Sequence, residues 1–92
     1  MPFPAQRLVS CDRFVMDLWR VSKAIGRSKE NQFEILYVVA GSGLLRSPDW
    51  PDVRLRKGRT VLVPACVRAF KLLPRRGMEI VRAAHSINSG RL

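Results

Sequence analysis

The sequence predicts an all-β chain, an antiparallel β-sandwich of seven or eight short strands in one small domain. Three observations predict it. Apolar, β-branched and aromatic residues fall in runs of roughly four to eight, the ordinary length of a strand. Clusters of Gly, Pro, Asp and Ser separate those runs. No stretch spaces its apolar residues at i, i+3, i+4 and i+7, as an amphipathic helix does.

Taken in order, residues 14–21 are β-branched and aromatic enough for a strand. Residues 22–32 are polar and contain Gly26, which reads as a loop. Residues 33–40 form the clearest strand, closed by Gly41-Ser42-Gly43, which turns the chain into Leu44-Leu45-Arg46. Residues 47–52, Ser-Pro-Asp-Trp-Pro-Asp, make a loop tip, since Pro fixes φ and Asp bonds locally to the backbone. Residues 53–56 alternate apolar and basic, as a half-exposed edge strand does. Lys57-Gly58-Arg59 turns tightly into residues 60–63, and Pro64 ends that strand because it lacks a backbone donor. Residues 69–73, a turn at 74–77 and residues 78–84 complete the set. The domain is expected to span 1–85, with 86–92 as a frayed polar tail. Strands of this number and spacing fit the jelly-roll form of sandwich.

With 92 residues there is room for one core only, and a chain this small has a thin stability margin. Its 47% hydrophobic content places it among globular rather than disordered chains. No apolar run approaches the ~20 residues of a membrane span, and the N-terminus lacks the basic stretch and apolar core of a signal peptide. A cytoplasmic address and no membrane partner are the expectation. Cys11 and Cys66 form no metal-like cluster and read as free thiols. The net charge is +10, and Arg supplies 13 of the 17 basic residues, scattered along the sequence. No helix-turn-helix pattern or basic–aromatic interleaving accompanies them, so they read as solvated surface rather than a nucleic-acid contact.

Alternation in residues 33–40 has a further consequence. One face offers Phe33, Ile35, Tyr37 and Val39, and the other Glu34, Leu36, Val38 and Ala40. Both are largely apolar, so neither suits water. The expectation is a homodimer, or a missing N-terminal domain, covering the outer face; the alternative is that the preceding loop or the chain's own N-terminal segment folds over it.

Six residues separate Glu34 from Gly41, and five separate Gly58 from Pro64. This spacing resembles the two motifs of the cupin superfamily. Residues 11–19, 33–43 and 53–65 resemble the C-terminal cupin half of type I mannose-6-phosphate isomerases, a likeness running over roughly residues 8–85. The resemblance implies a cupin-like jelly roll. Cupins hold a metal with two His one residue apart, a Glu further along and a third His on an opposing strand, a set suited to iron, manganese, zinc or nickel. Here the first two positions fall on Arg27 and Lys29, or on Ser28 and Glu30, and the third on Ala69. Glu34 alone survives, so no metal and no catalytic residue are expected. The isomerases carry zinc in an N-terminal cupin that nothing here matches, so zinc enters only on an isomerase reading, and then from another domain. Cys66 stands where the cupin pattern carries Gly and is expected to be a small buried residue.

Glu34 is then a buried carboxylate held by an interior Arg or by Thr60, or turned toward a sugar hydroxyl. His85, the one histidine, stands at a strand end and reads as a surface or capping residue. Glu34, Thr60 and His85 are the candidate ligand contacts. Three functions follow from the resemblance: a non-catalytic packing and dimerisation module, a stand-alone cupin binding a sugar or other small ligand in its barrel, or a remnant sugar-phosphate isomerase of carbohydrate metabolism that needs a partner chain. A barrel plugged by Leu36, Val38, Leu62 and Phe70 would leave a sugar no room.

Overall fold

Seven strands form in the computed structural model, which describes residues 4–29 and 32–85. They are β1 (Ala5–Ser10), β2 (Phe14–Val21), β3 (Ile25–Ser28), β4 (Glu34–Ser47), β5 (Trp50–Arg56), β6 (Thr60–Val63) and β7 (Ala69–His85). Every pairing is antiparallel, and the described residues contain no helix. The all-β class and the strands at 14–21 and 60–63 are as the sequence predicts.

Two long strands organise the rest. The first half of β4 pairs with β6 and with the second half of β7, which also pairs with β2. The second half of β4 pairs with β5 and with the first half of β7, which also pairs with β3. One side of the sandwich therefore runs β1-β2-β7-β4-β6, the other β3-β7-β4-β5, and β4 and β7 bend from one to the other. The expected stop at Gly41-Ser42-Gly43 and the expected turn at 74–77 are these bends, not strand ends. Gly41 has φ +83°, and a Cβ there would lie 2.0 Å from the carbonyl oxygen of Gly77, so the two strands cross the corner backbone against backbone. The segment read as a loop holds β3, and β1 is a strand that the apolar pattern alone does not mark.

Alternation sorts the residues of β4 as expected: Glu34, Leu36 and Val38 are buried, while Ile35 and Tyr37 are exposed. Trp19, Leu55, Leu72 and Ile80 complete the centre of the core. On the opposite side of the sheet, Ile35 stands level with Leu62 and Ala83, and Tyr37 level with Thr60 and Val81. Phe33 is 44%, Tyr37 43% and Leu62 58% exposed, so this outer face is apolar and open. Among the described residues the N-terminal segment does not cover it: β1 extends the sheet edge beside β2. No helix among the described residues is long and apolar enough to cross a membrane. The expected tail at 86–92 and the position of Glu30 lie outside the described residues.

Candidate functional site

Strand pairing builds a charged row through the inner face of the larger sheet. Arg7 on β1 lies opposite Asp17 on β2, and Asp17 lies opposite Arg82 on β7. Arg7 donates to Asp17 Oδ1, and Arg82 Nη1 donates to Asp17 Oδ2 at 2.8 Å. Glu34, on the next strand, accepts from the same Arg82 through Nε at 3.0 Å and Nη2 at 2.7 Å. Arg27 reaches Glu34 from β3, in the facing sheet, donating through Nη2 at 2.6 Å and Nε at 3.3 Å. Cations and carboxylates alternate through the network, and two guanidiniums converge on one fully buried carboxylate.

Burial alone would raise the Glu34 carboxyl, but hydrogen bonds from Arg27 and the charges of Arg82 and Arg27 outweigh it and hold the group below its ordinary value. Trp19 fills the space beside them, with the Arg27 guanidinium 4.9 Å and that of Arg82 5.6 Å from the ring centroid. Lys29, just past β3, donates from Nζ to the carbonyls of Gln32 at 2.6 Å and Pro64 at 2.9 Å. Loss of hydration lowers its pKa, and the Glu34 charge partly counters this.

Of the two alternative registers for the missing histidines, the geometry selects Arg27 and Lys29, because Ser28 is exposed on the outer side. Ala69, expected at the third ligand position, is also exposed, opposite Ser28; Phe70 is the residue that faces inward, opposite Arg27. Glu34 is held by interior arginines and not by Thr60, which lies exposed on the outer face opposite Tyr37. His85 is exposed at the end of β7, opposite Phe14, so the three candidate contacts do not converge. Both thiols are free, and Cys66 is exposed rather than buried, since it sits in the turn after β6. Asp17, Arg82, Arg7 and Trp19 were missed as site residues. Their signal was phase: Asp17 shares alternation with Trp19 and Val21, and Arg82 with Ile80 and Ala84, so both charges had to point into the core.

Leu36, Val38 and Phe70 plug the interior as expected, whereas Leu62 faces outward. Between the sheets at the β5–β6 end a cavity of about 370 Å³ remains, walled by Val53, Val61, Val63, Val67 and Phe70. Its polar neighbours are Ser47 and Asp52, and Asp52 already accepts from Arg46. A divalent metal does not fit the residues present. Each interior carboxylate is engaged by two guanidiniums, and among the described residues no three His, Cys, Asp or Glu come together as ligands.

A family profile described as "Mannose-6-phosphate isomerase, cupin domain" matches residues 5–83. The chain belongs to this cupin-domain family. Solved structures agree on the fold. A cupin-2 domain-containing protein of Shewanella frigidimarina superposes with TM-score 0.78 at 14% identity, over 90% of this chain and 80% of that one. A cupin superfamily protein of Desulfitobacterium hafniense gives 0.75 at 13% identity, over 89% and 75%. The polyketide cyclase RemF of Streptomyces resistomycificus gives 0.76 at 20% identity, over 88% and 63%. At such identities the likeness is one of fold. No curated protein matches the chain.

Proposed function

We propose that this chain is a non-catalytic cupin domain that serves as a packing and dimerisation module. The observation that carries the reading is the open apolar face of the β1-β2-β7-β4-β6 sheet, where Ile35, Tyr37 and Leu62 stand side by side. Each large apolar side chain taken from water contributes about 1.5–3 kcal/mol, a sizeable part of a small domain's margin. Five strands about 4.8 Å apart, the longest about eight residues within this sheet, make a face of several hundred Å², toward the lower end of what specific interfaces use. Among the described residues, the charged groups that strand alternation places on it are Arg20 and Glu79, a pair 3.8 Å apart. A second copy can therefore stack on this face without bringing arginines together, despite the net charge of +10.

The interior supports the non-catalytic part. The one motif residue that a cupin would offer a metal is spent on Arg27 and Arg82. A sugar needs converging hydrogen-bonding groups, and the cavity offers mainly aliphatic walls. Light scattering of the purified protein at tens of micromolar tests the reading. A dimer that Ile35→Glu converts to a folded monomer supports it. A wild-type monomer that gains mass only when an isomerase N-terminal half is added would assign the face to a neighbouring domain instead.

A further inference from the structure

Four of the arginines scattered along the sequence share one outer face. β4 and β7 give one half to each sheet, so the two outer faces draw on different residues. Among the described residues, strand alternation gives the apolar face the Arg20–Glu79 pair alone. The opposite outer face, on β3-β7-β4-β5, presents Arg46, Arg54, Arg56, Lys71 and Arg75, all exposed. Among the described residues, the carboxylate beside these cations, Asp52, is already held by Arg46 at 2.9 Å. Arg54, Arg56 and Arg75 border a concavity of about 510 Å³ floored by Leu44 and Leu73, and no carboxylate among the described residues pairs with any of the three. Arg46 and Lys71, directly opposite each other, border a second concavity of about 530 Å³. Trp50 does not belong to this face: a bulge in β5 turns it toward the apolar cavity at the β5–β6 end.

We propose that this face binds the phosphate backbone of a single-stranded nucleic acid. Guanidiniums match phosphate oxygens as a two-pronged fork, and here they are free to do so. The cations extend along β7 from Lys71 to Arg75, about 13 Å at strand rise, which is too far for one compact phosphate and suits a chain of them. Leu44 and Leu73 supply apolar surface against which bases pack without being read, so binding is tolerant of sequence. The face points away from the apolar one, so a dimer leaves it accessible on both sides.

Fluorescence anisotropy with a labelled 12-nucleotide single strand tests this, using the full chain. Affinity should fall with salt on a log–log slope of about −3, as four or five phosphate contacts require. Arg54→Glu with Arg75→Glu should weaken binding at least about tenfold at low salt, and Arg54→Gln with Arg75→Gln should weaken it in the same direction. Arg13→Glu with Lys23→Glu removes the same charge from loops elsewhere and should change affinity less than about threefold. No binding at about 50 mM salt, or equal losses in the two charge-reversed pairs, overturns the proposal. Displacement of the strand by polyglutamate as readily as by unlabelled strand overturns it too, since it assigns the face to an acidic protein.

Discussion

Arg82 donates through both Nε and Nη2 to one oxygen of Glu34, at 3.0 and 2.7 Å, while its Nη1 turns to Asp17. A single guanidinium thus ties β7 to β4 on one side and to β2 on the other. The third strand-crossing tie, Arg27 to the same Glu34 oxygen at 2.6 Å, joins the two sheets. In a cupin the matching carboxylate faces an ion; here it is the hub of a salt-bridge network.

Breaking that hub should be costly. Glu34→Gln takes the carboxylate from Arg27 and leaves Arg82 with Asp17, a type of loss worth about 3–5 kcal/mol. Thr60→Val, on the exposed outer face, should change stability by less than about 0.5 kcal/mol. Urea unfolding midpoints of the two variants check the contrast.

The network also sets an acid limit. The Glu34 carboxyl is held below its ordinary value of 4.5 in the folded chain, so its contribution is fully present above that pH. As the pH falls through the lower folded value, protonation cancels the charge facing both guanidiniums and the contribution disappears. Unfolding midpoints measured from pH 7 down to 3 should drop below about pH 4.5 in the wild type, and less steeply in Glu34→Gln.

Glycine at the corner is testable in the same way. Gly41→Ala puts a Cβ 2.0 Å from the Gly77 carbonyl at a positive φ, and should cost at least about 3 kcal/mol. Gly26 has open space around its would-be Cβ, so Gly26→Ala should fall within about 0.5 kcal/mol of wild type. Thermal melts of the two proteins decide it, and equal losses would contradict the crossing geometry.

Much of the fold was legible because its signals are local. Alternation in 33–40 assigned Glu34, Leu36 and Val38 inward, and Pro64 marked the end of β6. Gly41 and Gly77 misled, since a glycine at a bend and one at a strand end carry the same local signal; only the pairing of β4 with β7 separates them. The site was legible in part. Glu34 and Arg27 stand in the motif, but Arg82 lies 48 residues from Glu34 and 65 from Asp17, and their meeting depends on sheet order. The grouping of Arg46, Arg54, Arg56 and Arg75 on one face is hidden for the same reason.

Metal should not be retained. With Arg27 and Lys29 in place of imidazoles, and both interior carboxylates paired, the barrel repels a cation. Elemental analysis of protein dialysed against a chelator should find zinc, iron and manganese well below one per chain. Stoichiometric metal would mean that the network opens in solution.

In the dimer proposed above, a second copy covers the apolar face of the β1-β2-β7-β4-β6 sheet. Small-angle X-ray scattering tests it on the unmodified protein. The single chain has a radius of gyration of 12.8 Å. The account predicts twice the single-chain mass and a radius of about 16 Å or more, the scaling value for a compact body of doubled length. Mass and radius that stay at the single-chain values across the concentration series, and with added salt, would contradict it.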